Sequence, residues 1–144
     1  MPFPNQQSVM ATFLGMAPGL DAYQRIPNIQ FTINPVALTA NYTMLPTDSG
    51  TIFTTLGASG AVTLTLPAVA SNAGLWCIFH NAVDQSCAVS APATTMVYDG
   101  NAGITTLTWG TSSHKIGGAA LFYCDGTKWY AFVAANGSAA PSAS

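Results

Sequence analysis

The sequence predicts an all-β fold, a single-domain β-sandwich that is jelly-roll-like in its strand pattern, with an extended N-terminal arm. In the stretch 60–67, valine and leucine alternate with threonine, which predicts a strand with one apolar and one hydroxylated face. About nine or ten such short runs are separated by glycine, proline and aspartate turns, which is typical of sandwiches and small barrels. No helical pattern exceeds two turns, so a helical layer is not expected.

The chain divides into three parts by composition. Its 144 residues support one domain that needs no metal or disulfide to fold. Residues 1–28 are rich in proline and methionine and predict an arm, and residues 29–135 hold the strand pattern of the sandwich domain. Residues 136–144 consist of Gly, Ser, Ala, Pro and Asn, which predicts a flexible tail.

The strands are predicted from apolar runs and the turns between them. They span 29–34, 38–45, 51–56, 61–66, 75–80, 86–91, 95–98, 104–109, 119–124 and 129–134. Glycine turns and Asp125-Gly126 predict hairpins that pair 51–56 with 61–66 and 119–124 with 129–134. A third hairpin is expected between 75–80 and 86–91. The dense apolar run 75–80 is typical of a strand buried on both faces or lying at an interface.

Charged residues are scarce, and two interpretations of this remain open. They make up 6% of the chain, where about 25% is usual, and there is no glutamate. The surface is either covered by neighbours in an assembly, where charge is costly to bury, or coated by Thr, Ser, Asn and Gln. Both interpretations argue against a disordered chain.

The same composition excludes two classes of partner. Three basic residues give no electrostatic footprint for nucleic acid or for an anionic membrane. No apolar run approaches the ~18–20 residues of a membrane span. The start, Met-Pro-Phe-Pro, has neither basic residues nor a long apolar core, so no secretory signal is predicted and synthesis in the cytoplasm is expected.

Candidate chemistry is weak throughout the chain. A nucleophile elbow has the pattern Gly-x-Ser-x-Gly. The stretch Gly57-Ala-Ser59-Gly60 does not match it, because residue 61 is alanine where the second glycine is needed. The five aspartates lie in or beside predicted turns, where they usually bind their own backbone. Cys77 and His80 have a metal-like spacing, but on a strand they point to opposite faces. We therefore predict no enzyme activity, no catalytic residues, no metal site and no cofactor.

The cysteines and aromatic residues favour structural roles. In the predicted hairpin, Cys77 and Cys87 stand opposite each other at a distance slightly long for a disulfide. Two reduced, packed thiols are the first interpretation, and a bridge formed later in an oxidising setting is the second. Strand aromatics such as Trp76, Trp109 and Tyr123 are read as core and interface residues in preference to sugar- or base-stacking groups.

Two stretches carry a resemblance to a known family. The strand Gly60-Ala-Val-Thr-Leu-Thr-Leu-Pro67 and the hairpin Cys124-Asp-Gly-Thr-Lys-Trp129 lie within a region, about 48 to 134, that resembles the small β-sandwich modules of tailed-phage virion proteins. Such modules occur as head decoration (cement) proteins and as domains of tail fibres and tailspikes. The resemblance implies a non-enzymatic virion part, commonly a homotrimer.

Within that family, the short chain and its arm favour a capsid decoration protein. We expect it to bind the major capsid protein on the outside of the shell, to stabilise the shell, and to assemble in the host bacterial cytoplasm before residing on the virion. The alternative is a tail-fibre or receptor-binding module that recognises host surface glycans. A hydrolase carried by the virion is the third and least favoured hypothesis.

The arm is the predicted partner-binding segment. Three interpretations are open for it: a strap on its own domain, an arm that reaches a neighbouring subunit or scaffold, and disorder. The decoration hypothesis uses the second of these. Its anchors are the apolar residues of the arm, namely Phe3, Met10, Phe13, Leu14 and Tyr23.

Overall fold

The computed structural model describes residues 35–111, 116–134 and 140–144, which form two mixed β-sheets packed face to face. The all-β sandwich prediction is thereby confirmed. The predicted strand 29–34 and the arm 1–28 lie outside the described residues. The strands are β1 Val36–Ala37, β2 Tyr42–Thr43, β3 Thr51–Thr54, β4 Thr63–Thr65, β5 Trp76–His80, β6 Cys87–Ser90, β7 Met96–Tyr98, β8 Asn101–Ile104, β9 Thr106–Trp109, β10 Ala119–Cys124, β11 Trp129–Ala134 and β12 Ser142–Ala143.

The first half of the described chain alternates between the two sheets. The seven-stranded sheet has the order β1-β3-β5-β10-β11-β7-β8, and the five-stranded sheet has the order β12-β9-β6-β4-β2. Odd strands β1, β3 and β5 are therefore parallel neighbours in one sheet. Even strands β2, β4 and β6 are parallel neighbours in the other. Every connection from β1 to β7 crosses from one sheet to the other.

This alternation overturns two of the predicted hairpins. Strands β3 and β4 do not pair, because β3 lies in the seven-stranded sheet and β4 in the five-stranded one. The same holds for β5 and β6. Two amphipathic strands can bury their apolar sides by facing each other across a core as well as by lying side by side. The turn at Gly57 (φ +84°) is present, but it leads the chain across the sandwich.

The hairpins of the second half are formed locally. The pair β10–β11 runs antiparallel from Ala119–Ala134 to Cys124–Trp129, which confirms the prediction made from Asp125-Gly126. Strands β7 and β8 are joined by Asp99 and Gly100, with φ of 49° and 76°, the backbone that a tight hairpin turn requires. The predicted strand 104–109 is split, since Ile104 ends β8 and β9 begins at Thr106.

The core lies between the sheets and is filled by the inward positions of both. Val62, Leu64 and Leu66 of the predicted amphipathic strand are at most 1% exposed, as their alternation predicted. Phe79 of β5 and Trp109 of β9 meet across the core with ring centroids 5.2 Å apart. The other large buried side chains are Trp129, Phe53, Phe122, Met44, Met96, Ile104 and Leu107.

One further prediction needs correction. The strand expected over 38–45 shortens to Tyr42–Thr43. Within the described end of the chain, residues 140–144, β12 pairs Ser142 and Ala143 with Thr108 and Leu107 of β9. Small polar residues carry no strand signal of their own, so the open edge of β9 supplies the hydrogen bonds that order this segment. The Ser144 carbonyl accepts from the Thr105 and Thr106 amides at 2.7 and 3.0 Å.

Candidate functional site

The outer face of the seven-stranded sheet is apolar although it faces away from the core. On β5 and β10, alternate residues are buried, and most of the outward residues between them are large and apolar, namely Trp76, Ile78, Leu121 and Tyr123. Trp76 is 37% exposed, Tyr123 40% and Phe132 of β11 58%. Strand β5 was expected to be buried on both faces or to lie at an interface. Within this chain, its outward residues range from half-buried to exposed.

Strand register arranges these outward residues in two rows. The first, called here the aromatic row, places Tyr123 of β10 between Trp76 of β5 and Tyr130 of β11. The second, called here the aliphatic row, runs across four strands and ends at an exposed phenylalanine. Its members are Ile52, Ile78, Leu121 and Phe132. Because neighbouring strands lie about 4.8 Å apart, each row is a continuous line of side chains.

No described strand of either sheet contains Asp, Glu, Lys or Arg. The charged residues that the structure describes lie outside the strands: Asp48 in the 3-10 helix Pro46–Asp48, and Asp84, Asp99, Asp125 and Lys128 in turns and loops. Charged side chains on exposed strands normally discourage association of sheets. Their absence leaves both outer faces of the sandwich free of that protection.

The first residue of the aromatic row rests on a glycine. The Gly50 amide donates to the Trp76 carbonyl at 2.8 Å, and the Trp76 amide donates to the Ser49 hydroxyl at 3.2 Å. A Cβ atom at Gly50 would lie 3.5 Å from Cζ2 of the Trp76 indole. Gly50 has φ +88°, a backbone conformation that other residues rarely adopt. The glycine therefore permits the turn, and the turn binds the backbone of Trp76.

The third residue of the row is held by a charged turn. Asp125 Oδ1 accepts from the Thr127 and Lys128 amides, both at 2.7 Å, and from the Thr127 hydroxyl at 2.8 Å. These bonds, led by the Thr127 amide, lower the pKa of Asp125 to about 2. The same carboxylate raises the pKa of Tyr130. The aromatic row thus ends at a carboxylate that stays ionised.

A shallow cavity lies at the β1 edge of the same face. Its volume is about 390 Å³, and it is lined by Pro35, Ile52, Thr54, Leu56, His80 and Ala82. The Thr54 hydroxyl lies 3.3 Å from His80 Nδ1, and Leu56 at the rim is 64% exposed. Because Ile52 belongs to the aliphatic row, the cavity continues the apolar face to the sheet edge.

The side chains that were candidates for catalysis or metal binding lie apart from one another or hydrogen-bond within their own turns. Cys77 is buried and His80 is half-buried on the opposite face of β5, as the strand alternation predicted. No cluster of three His, Cys, Asp or Glu residues occurs within the described ranges. Asp48 accepts from the Tyr42 hydroxyl and the Leu45 amide, both at 2.8 Å, so it serves its own turn.

The cysteines correct one prediction and support another. Cys77 and Cys87 do not face each other in a hairpin, because β5 and β6 belong to different sheets. Cys77, Cys87 and Cys124 are all buried and free, in agreement with packed thiols. Burial raises the pKa of the Cys77 thiol to about 12, which makes it a poor nucleophile.

The arm anchors predicted from the sequence are not among the residues that the structure describes. Phe3, Met10, Phe13, Leu14 and Tyr23 all lie outside the described residues. The apolar face was not singled out from the sequence. Its signal was present in the runs 75–80 and 119–124, where apolar residues occupy both phases of the alternation.

Searches for relatives returned no matching family model and no matching curated protein. Among the residues described, no helix has the length and apolarity to cross a membrane.

Proposed function

We propose that this protein is a non-enzymatic structural subunit of a virion, a capsid decoration protein that binds the outside of the major capsid shell. The observation that carries the assembly role is the uncharged apolar face with Trp76, Tyr123 and Phe132 exposed on it. The virion context comes from the resemblance of the 48–134 region to phage β-sandwich modules. The proposal includes no catalytic step, no metal and no cofactor.

The apolar face supports association because it would be costly to leave in water and cheap to bury. Removing apolar area from water contributes roughly 25 cal/mol per Å². A face without charges also gives no repulsion when two copies approach, and no ion has to be desolvated. In the proposed homotrimer, neighbouring copies cover parts of this face.

The arm supplies the second contact in this proposal. Phe13 and Leu14 lie in a short apolar segment that is too small to form a core of its own. Contacts of this kind are individually weak, but a symmetric assembly engages several at once, which raises the overall affinity without new contacts. Binding only to the assembled shell would stabilise the shell by mass action.

The assembly role is tested by placing a charge on each outer face. Phe132→Lys on the seven-stranded sheet is compared with Thr108→Lys on the five-stranded sheet. Light scattering coupled to size-exclusion chromatography should give a homotrimer for the parent chain and for Thr108→Lys, and a monomer for Phe132→Lys. A monomeric parent chain at micromolar concentration would contradict the assembly proposal.

The location is tested separately on particles. Antibodies against the full chain, used for immunogold labelling of purified virions, should label heads and leave tails unlabelled. Phe13→Ser with Leu14→Ser should weaken binding to shells without changing the oligomer. Labelling confined to tail fibres would replace decoration by the receptor-binding alternative, and shell binding that survives the double substitution would contradict the role of the arm.

A further inference from the structure

In the described part of the chain, the seven-stranded sheet has its edges at β8 and β1, and β8 is closed by its own chain. Asn101 Oδ1 accepts from the Gly103 amide at 3.1 Å, and Lys128 Nζ lies 3.4 Å from the Ala102 carbonyl. The pairing of β7 with β8 also contains a register shift. Lysines and bulges are usual means by which proteins protect a sheet edge from a further strand. Addition of a strand at β8 is therefore disfavoured.

Strand β1 has no charge, no register shift and no side-chain hydrogen bond to its backbone among the described residues. Its pairing with β3 is regular, with Val36 opposite Phe53 and Ala37 opposite Thr54. The Leu38 amide donates to the Thr54 carbonyl of β3 at 2.7 Å. Because backbone groups alternate in direction along a strand, the N–H and C=O of Ala37 point away from β3. Outward groups of this kind are a template for pairing with another strand.

The 390 Å³ cavity lies beside this edge, and the two chain segments that form most of its wall are joined to each other. The buried Thr55 hydroxyl donates to Asn81 Oδ1 at 3.2 Å and accepts from the Ala82 amide at 2.9 Å. The polar lining side chains, Thr54 and His80, lie 3.3 Å from each other. The remaining lining residues are apolar, so the cavity favours a large apolar side chain without charge.

A strand edge with a pocket beside it is suited to binding an extended segment by strand addition. In this mode the main-chain hydrogen bonds supply affinity, and pockets receive alternate side chains of the added strand. The added segment should be uncharged and apolar at every second position. The run 29–34 has both properties, since Ile29, Phe31 and Ile33 alternate with glutamine, threonine and asparagine. This run lies outside the described residues.

The position of the run in the chain favours a second copy as its source. It ends directly before Pro35, which lines the cavity and precedes β1. A hairpin needs at least two turn residues, and a parallel crossover needs many more. Because Pro35 alone separates the run from β1, the whole run cannot lie beside β1 of its own chain. The run of a neighbouring copy has no such restriction.

We propose that the 29–34 run of one copy adds as a strand to the β1 edge of the next copy and places Phe31 in the cavity. This inference rests on the assembly proposal and names the contact that joins its copies. The contact is heterologous, so it closes a ring when each copy gives its run to the next. Neither the run nor the cavity lining contains a charged residue, so no ion has to be desolvated.

Disulfide trapping in the full chain tests this contact. All three native cysteines are buried, so introduced cysteines are the thiols within reach. Phe31→Cys with an affinity tag is co-expressed with untagged Leu56→Cys, whose leucine is 64% exposed at the rim of the cavity. Mild oxidation should give a disulfide-linked pair of one tagged and one untagged chain. Leu45→Cys replaces an exposed leucine (53%) outside the cavity lining and is the matched control, which should give little linked pair.

Substitution in β1 tests the backbone part of the contact. Ala37→Pro removes the outward N–H and leaves the Leu38 amide free to donate to Thr54. It should weaken association roughly tenfold, since one hydrogen bond between copies is lost. Ala37→Val keeps the donor and should associate as the parent chain does. Light scattering over a dilution series measures association, and circular dichroism confirms that both variants are folded.

Three results would overturn the inference: equal linked pair with Leu56→Cys and Leu45→Cys, a disulfide formed only within single chains of Phe31→Cys with Leu56→Cys, or parent-like association of Ala37→Pro. Light scattering of the parent chain separates this inference from the assembly proposal. A trimeric parent with any of these three results contradicts the strand exchange alone. A parent that forms the trapped pair but is a dimer contradicts the trimer alone, and a monomeric parent contradicts both.

Discussion

The two outer faces of the sandwich differ in chemistry although both lack charge. On the five-stranded sheet, the outward residues are small and mostly hydroxylated, in the two rows Thr43-Thr65-Ser90-Thr106 and Thr63-Ala88-Thr108-Ser142. On the seven-stranded sheet, two outward rows consist of tryptophan, tyrosine, phenylalanine, isoleucine and leucine, and a third row, Thr54-His80-Ala119-Ala134, is polar or small. Both sheets bury an equally apolar inner face, so the difference does not serve the core.

The comparison separates what folds this protein from what it presents. Hydroxyl groups keep a face hydrated without charge, so a sheet can pack its apolar face on the core and expose its hydroxylated face to water. The five-stranded sheet has this arrangement. The seven-stranded sheet keeps large apolar side chains in water on its second face, a feature that marks interaction sites on soluble proteins. The scarcity of charge thus leaves a hydrated, hydroxylated outer face on the five-stranded sheet and an exposed apolar outer face on the seven-stranded sheet.

The largest expected effect distinguishes inner from outer positions of one hairpin. Phe122 of β10 is 0% exposed and Phe132 of β11 is 58% exposed. Phe122→Ala should lower the free energy of unfolding by about 3–5 kcal/mol through lost burial and a cavity. Phe132→Ala should change it by less than about 0.5 kcal/mol, as for exposed sites. Denaturant unfolding measures both values.

The matched pair on the other sheet is Leu107→Ala and Thr108→Ala. Because Leu107 is buried, Leu107→Ala should lower the free energy of unfolding by about 2–5 kcal/mol, while Thr108→Ala should leave it nearly unchanged. All four variants are measured at the lowest usable concentration, because association would add to apparent stability. A cost at Phe132 similar to that at Phe122 would mean that the apolar face is covered within one chain.

The sequence predicts the faces of strands better than it predicts their neighbours. The alternation at Val62, Leu64 and Leu66 fixed which side chains are buried, because period two is a local property of the backbone. The pairing of β10 with β11 was equally local, since the turn at Asp125 closes it. The predicted pairings of β3 with β4 and of β5 with β6 were wrong, because amphipathic strands separated by a longer connection can face each other across the core.

The apolar face shows a second limit. In the run 75–80 the sequence has large residues on both phases of the strand, which fits burial on both sides as well as exposure at an interface. Only the register of β5, β10 and β11 shows that Trp76, Tyr123 and Tyr130 form one row. Strand β12 shows a related limit, since its pairing with the edge of β9 is not visible in its own residues.

An intermediate effect is expected at the edge of the hydroxylated sheet. The Ser144 amide donates to the Thr106 carbonyl at 3.0 Å, and Ser144→Pro removes this donor. The free energy of unfolding should fall by about 0.5–1.5 kcal/mol, the usual net contribution of one hydrogen bond. Hydrogen exchange should become faster at the Thr105 and Thr106 amides, which donate to the Ser144 carbonyl.

Its control is Ser142→Ala, which removes a side-chain hydroxyl 3.3 Å from the Thr108 carbonyl and leaves every backbone bond in place. Exchange at Thr105 and Thr106 should then stay near the parent rate. Equal exchange rates in the parent chain and in Ser144→Pro would show that β12 contributes nothing to this edge in solution.

The smallest effect concerns the turn that holds the aromatic row, and it depends on pH. Hydrogen bonds from Thr127 and Lys128 lower the pKa of Asp125 from its ordinary value of 3.8 to about 2. Because the folded pKa is below the unfolded one, the turn stabilises the fold above pH 4, and this contribution is lost as pH falls from about 4 to 2. Asp125→Asn lacks the titrating group altogether.

Thermal unfolding of the parent chain and of Asp125→Asn should therefore differ most at pH 5 and above, and the two curves should approach each other towards pH 2. Thr127→Ala removes only the hydroxyl donor at 2.8 Å and should give a smaller difference with the same pH trend. Since the Asp125 carboxylate raises the pKa of Tyr130, Asp125→Asn should also lower that pKa, which ultraviolet titration measures. An unchanged Tyr130 titration would mean that the carboxylate and this side chain do not interact in solution.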